Sequence, residues 1–303
     1  MEKSAAPVAG REGECEMFLW PVLLALGLQA AVPTMWPWQR GAWWMQRAAR
    51  AVAALLDRLG WSRRLYVPLC LACLCLLPAL AGLWHPLAQV PFLYMALDVR
   101  ALTEAAMRVR RALEENRATA AQGNALSAAA YEAAVREAAQ RLAEGFAGGV
   151  MCPLLLAWLG APIGLGAALA CAYAALRVLA DGGGQARLQG VLAACERRVA
   201  GLSAWCAGWV ASVLGMEGIR ARLAWRRDRQ ACARAPEAER RLYSGTARLA
   251  SVMRAALGWT EPGDTRAPLA GDLTQACALL WGTALAVSVL ALLVSVVGIV
   301  LLQ

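Results

Sequence analysis

Cys70, Cys73 and Cys75 fall close together in "LCLACLCLL". A C-x-x-C-x-C spacing could hold a thiophilic metal, provided the thiols are deprotonated and polar groups behind them fix the geometry. This stretch offers only leucine and alanine, so the cysteines read as small apolar residues of a membrane helix. The remaining cysteines are scattered and form no set. The single histidine, His85 in "GLWHPLAQVP", lies between apolar segments and reads as a loop or interface residue, not a base. A third place for chemistry is "AEGFAGGVMCPLLLAWLGAPIG", residues 143 to 164. There Glu144 leads into a glycine step, an uncharged run from Val150 to Leu159, and then Gly160-Ala161-Pro162. A carboxylate there could be the remains of an active site or mark where the chain enters a membrane. No nucleotide-binding loop, nucleophile elbow or zinc-binding histidine pair occurs in the chain.

The elements that must position these residues are set by where charge is absent. The chain has 303 residues, of which 60% are hydrophobic and 17% charged, against roughly 25% charged in an average soluble domain. The uncharged residues sit in blocks at 17–32, 66–97, 149–176, 199–215 and 276–302. The last is long enough to cross a hydrocarbon core with some tilt. The pattern predicts an all-α, polytopic helical membrane protein with broken or re-entrant helices and a cytoplasmic helical hairpin. Residues 17–32 read as an uncleaved first span, because four acids offset Lys3 and Arg11 and no small-residue cleavage site follows. The net charge of +9 comes almost wholly from arginine. These arginines flank apolar blocks and no nucleic-acid motif appears, which argues against nucleic acid and for topology as their role.

Five parts follow. Residues 1–97 hold N-terminal membrane helices with an interfacial helix. That helix, 46–59, sets Val52, Leu55, Leu56 and Leu59 against Arg47, Arg50 and Arg58, after the tryptophan-rich "TMWPWQRGAWWMQ" typical of a membrane boundary. Block 66–97 is too long for one upright span and is interrupted by Trp84-His85-Pro86 and Pro91, so a hairpin with one short arm is expected. Residues 98–148 form a soluble helical hairpin, with seven arginines facing seven acids. Its expected i,i+4 pairs are Glu104–Arg108, Glu132–Arg136 and Glu137–Arg141, and Ser127 is its expected second N-cap. Residues 149–215 hold central membrane helices, restarting after Gly148-Gly149 and broken at Pro153 and Gly160-Ala161-Pro162. A loop and a polar helix start are expected over 181–198. Residues 216–275 are a basic cytoplasmic segment, with eleven arginines against seven acids, and 276–303 a C-terminal transmembrane helix. The two arginine-rich segments should share the cytoplasmic side.

The run "YEAAVREAAQRLAEGFAGGVMCPLLLAWLGAPIGLGAALA" resembles the central motif of the CobD/CbiB family, the membrane-embedded adenosylcobinamide-phosphate synthases of cobalamin biosynthesis. Ala143, Glu144, Gly149, Val150, Pro153, Leu154, Gly160, Ala161 and Pro162 fall on matching positions. Downstream, "ARLQGVLAACERRV" matches at Arg187, Leu188 and Arg198, and "LGWTEPGD", with Glu261, resembles a motif before the family's last span. "LDVRALTEAAMRVRRAL" resembles the first helix of its soluble segment. The likeness spans roughly 90–275.

The resemblance implies a reaction joining a corrinoid carboxylate to an amino-alcohol phosphate as an amide, using ATP and Mg²⁺. That chemistry needs oxygen ligands for the metal, cations for phosphate and donors aimed at developing charge. The polar residues that follow the family's glutamate are here Gly145, Phe146, Ala147 and Gly148. Its lysine, asparagine and aspartate in the next helix fall near Ala168, Cys171 and Ala174, and its acidic pair falls on Gln189 and Gly190. AmpE-type relatives, inner-membrane proteins linked to β-lactamase regulation, have a similarly eroded centre. The expectation is therefore a non-catalytic bacterial inner-membrane protein of this superfamily, with no metal and no cofactor. Its partners would be the bilayer and a second membrane or cell-wall protein. A divergent synthase is the alternative, with Glu144, Arg187, Arg198 and Glu261 as candidate residues, and an unrelated transporter or sensor is a third. Arg187 and Arg198 lie eleven residues apart, on one helical face, and are expected to offer Glu144 an ion-pair partner.

Overall fold

A computed structural model describes residues 11–31, 41–59, 66–119, 127–183, 186–236, 245–259 and 267–302. The described residues are helical, with no strand among them. Twelve helices follow in order: α1 (Arg11–Ala31), α2 (Gly41–Leu59), α3 (Tyr66–Trp84), α4 (Val90–Ala96), α5 (Val99–Thr119), α6 (Ala128–Phe146), α7 (Cys152–Gly160), α8 (Gly166–Gly183), α9 (Ala186–Val213), α10 (Gly218–Arg234), α11 (Thr246–Ala256) and α12 (Asp272–Leu302). Two stretches, Ala128–Ile163 and Asp272–Ser295, are long and apolar enough to cross a membrane. Trp20–Ala31, Pro68–Trp84 and Gly166–Ala180 are shorter apolar helices.

The chain forms two compact units, which cut across the five-part division: 1–97 with 153–184, and 98–152 with 185–303. In the first, α8 is the centre, and α2, α3 and α4 pack on it. Its sequence explains this. Ala167, Ala168, Ala170 and Ala175 are all buried, and such small side chains let neighbouring helix backbones approach closely. Val52 of α2, Cys70 of α3 and Leu179 of α8 share one buried cluster, with Leu69 against it. Leu55 and Leu59, expected on the same apolar face as Val52, are exposed. Chain 66–97 breaks where expected: α3 ends at Trp84, a 3-10 turn spans Pro86–Gln89, and the short arm is α4. Both arms pack on α8, and α4 on α1 as well, more than on one another, so the expected hairpin is not closed.

In the second unit α9 is the hub, touching α10, α11 and α12. Ala200, Ala204, Ala207 and Ala211 recur at helical spacing and are fully buried. The loop and polar helix start expected over 181–198 belong from Ala186 onward to one helix of 28 residues. The basic segment hides an apolar helix: Leu249, Val252 and Met253 of α11 are wholly buried, between α9, α10 and α6. Gly258, at φ 76°, ends that helix, a left-handed position that suits glycine. Ser127 caps α6 as expected, accepting from Ala130 N at 3.2 Å. Arg136–Glu132 (3.3 Å) and Arg141–Glu137 (2.5 Å) pair as the spacing predicts. Glu104, however, pairs with Arg100 at 3.1 Å, one turn back, and not with Arg108.

Candidate functional site

Glu144 lies on the exposed side of α6, where Gln140 Nε2 donates to its Oε1 at 3.0 Å. Arg198 is exposed on α9. Among the described residues Glu144 makes no ion pair, so the expected tie to Arg198 is not formed. An exposed carboxylate keeps its hydration and gains little from a partner. The Arg187 side chain lies outside the described residues, as do Glu261 and the tryptophan-rich residues 34–40.

Past Glu144 the helix does not stop at Gly148-Gly149. It widens into a single π turn, Ala147–Met151, whose five residues are all buried. Glycine's low helix propensity makes such a widening cheap. Pro153, four residues after Gly149, brings no N–H for the Gly149 carbonyl. Asp98 N donates to that carbonyl instead, at 3.1 Å. Helix α9 lies against the turn. The surrounding positions, Phe146 and Ala147, are 2% and 0% exposed. No group in this turn can accept a proton or bind an anion except the backbone.

In the other unit, Pro153 is buried in the first turn of α7, and Gly160-Ala161-Pro162 enters a 3-10 turn, Ala161–Ile163. Gly164, at φ 71°, closes it, and Leu165 N donates to Gly160 O at 3.0 Å. Of the positions where the resemblance puts polar groups, Ala168 and Cys171 are buried and Cys171 Sγ turns to Phe92 O at 3.7 Å.

Two buried glutamines of this unit were missed by sequence reasoning. Gln29, in the uncharged first block, is 5% exposed. Its Nε2 donates to Tyr94 O (2.6 Å) and to Leu97 O, carbonyls at the end of α4 that have no partner within the helix. Gln89 is 1% exposed, and its Oε1 accepts from Ala167 N at 3.0 Å in the first turn of α8. Gly82 of α3 lies directly against the Gly164 carbonyl, where a Cβ would collide. The signal for Gln29 was present: a lone amide in a long apolar run must find a partner. Amides can cap helix ends, but they cannot act as acids or bases near neutral pH. His85 likewise serves the backbone, its Nδ1 accepting from Leu87 N at 3.2 Å. Cys70 is buried and Cys73 exposed, so these two cysteines do not face one point. Among the described residues no group of three or more His, Cys, Asp or Glu could hold a metal ion.

Two acids of the second unit are buried among the described residues, Asp228 and Asp272. Asp272 opens α12 and its Oδ2 accepts from Trp259 Nε1 (2.9 Å) and Leu269 N (3.0 Å), a structural role. Tyr131 OH accepts from Ala270 N at 2.9 Å, joining α6 to the same corner. Ser203, Thr283 and Ser288 each donate back to the carbonyl four residues earlier. No family model matches the chain, and no curated protein or solved structure matches it either.

Proposed function

We propose that the chain is a multi-pass protein of the bacterial inner membrane, built on a scaffold like that of the CobD/CbiB and AmpE proteins, with a regulatory or accessory role and no catalysis of its own. One observation carries the non-catalytic reading. Phe146, Ala147, Gly148, Ala168 and Cys171, which occupy positions where the resemblance calls for polar or charged groups, are apolar or side-chain-free and buried. Losing one donor aimed at developing charge costs about 10²–10³ in rate, so the loss of several leaves no route to amide formation.

The membrane reading is supported by α12. One side of that helix is packed, yet Leu285, Val289, Leu290, Leu293, Val294 and Val297 are all exposed. Such a continuous apolar stripe is costly in water and favourable in lipid. In this reading the chain enters the bilayer after the charged part of α6, and the π turn there is tolerated because protein covers it.

A divergent synthase is the second reading, favoured by the exposure of Glu144, which a polar substrate could reach. The purified chain, given adenosylcobyric acid, aminopropanol phosphate, ATP and Mg²⁺, decides between them by product mass. The proposal expects no amide and no rescue of a strain lacking the synthase. Amide formed at a rate that Glu144→Gln abolishes would establish the second reading.

A further inference from the structure

The end of α9 and the whole of α10 carry a surface that the resemblance does not account for. Six arginines lie in α10, at 220, 222, 226, 227, 229 and 234, against one acid, Asp228. At 100° per residue, Asp228 and Ala221 share one side, and both are buried. The arginines spread over the opposite side, with Ile219 and Leu223 between them. Those two aliphatic residues are 68% and 57% exposed. The turn into α10 continues the apolar patch: Val213 is 85% exposed, and Trp205, Trp209 and Leu214 are exposed beside it.

The turn is built to hold that shape. Gly215 takes φ 71°, Met216 N donates to Ala211 O at 2.9 Å, and Glu217 N donates to Ala256 O at 3.1 Å, fixing the corner to α11. Trp205 and Trp209 meet edge to face with centroids 6.5 Å apart. The Arg222 guanidinium stands 4.6 Å over the Trp209 ring, and that of Arg229 5.4 Å over Trp225. Such stacking presents cations on rigid mounts instead of on free side chains.

Cations around a protruding aliphatic and indole tip suit one kind of surface: an anionic headgroup layer with hydrocarbon directly beneath it. Nucleic acid would meet the arginines but gain nothing from Val213 and Ile219. We propose that the α9–α10 corner binds the phosphate headgroups of anionic phospholipids, with Val213, Ile219, Leu223 and Trp209 entering the acyl boundary. This rests on the membrane reading above and adds the lipid class to it. Arg220 and Arg227 already face Glu217 (3.8 Å) and Asp228 (3.7 Å), yet six arginines against these two acids leave the corner strongly basic. Headgroup selectivity, and not mere insertion, is the new content, because zwitterionic lipid would satisfy the tip and bring no net negative charge to that excess.

The test uses the full chain in detergent, titrated with phosphatidylglycerol or phosphatidylcholine and read as retained lipid by native mass spectrometry. The expected result is preferential retention of phosphatidylglycerol, weakening as salt rises. Each arginine near an anionic surface is worth about fivefold, so Arg226→Gln, Arg229→Gln and Arg234→Gln, at exposed positions, together should cut the preference on the order of 100-fold. The same three positions as lysine should keep most of it. Arg136→Gln with Arg141→Gln, exposed on α6, should leave it unchanged. Equal loss in that control, no preference in the parent chain, or arginine-dependent binding of duplex DNA at physiological salt without lipid preference would each overturn the proposal. Alkaline carbonate extraction separates the two readings. A chain that stays in the membrane pellet but shows no lipid preference sinks only this inference, whereas a chain released from the pellet sinks the membrane reading beneath it.

Discussion

Gln29 and Glu144 show how little a residue's type says about its weight. Gln29 is a neutral amide, yet it satisfies two carbonyls at the end of α4 from a buried position. Gln29→Leu should leave both carbonyls without a donor and lower stability by about 1–3 kcal/mol, measured as thermal unfolding of the purified chain in detergent. Glu144 bears a charge and falls on the resemblance's central motif, yet it is exposed and held by Gln140. Glu144→Ala should shift stability by no more than about 0.5 kcal/mol in the same measurement. A loss of several kcal/mol there would mean that Glu144 has a partner buried with it. The sequence made Glu144 conspicuous because charge near an apolar run draws the eye. It concealed Gln89, whose role depends on where the first turn of α8 lies.

At the scale of elements, breaks in the chain were legible and their consequences were not. Trp84-His85-Pro86 and Gly160-Ala161-Pro162 end helices where proline and glycine chemistry says they should. Gly148-Gly149 also looked like a stop, but the chain only widens, because a π turn costs less than abandoning helix in a buried segment. The interior helix α11 was hidden because Arg248 and Arg254 made its neighbourhood look basic throughout, while its apolar residues recur on the other side. Its end is tied to the start of α12 through Trp259 and Asp272, 2.9 Å apart. A carboxylate in that first turn is also favoured by the helix dipole. Trp259→Phe should cost about 1–3 kcal/mol by leaving a buried carboxylate oxygen short of a donor. A double-mutant cycle with Asp272→Asn, followed by circular dichroism through thermal unfolding, should return a coupling of at least about 1 kcal/mol. Additive losses would mean that the bond carries no energy.

At the scale of the whole molecule, the apolar stripe of α12 and the arginine-rich segments call for different surroundings. Residues 98–148 and 216–275 carry seven and eleven arginines, and both should stay on the cytoplasmic side. Because α12 follows the second of them directly, its far end should emerge on the other side. Fusions of a dual reporter, green fluorescent protein joined to alkaline phosphatase, after Arg117, after Arg229 and after Gln303 read this in one experiment. Fluorescence without phosphatase activity is predicted for the first two, and phosphatase activity without fluorescence for the third. Phosphatase activity after Arg117 or Arg229, or fluorescence after all three in a chain recovered from the soluble fraction, would contradict it.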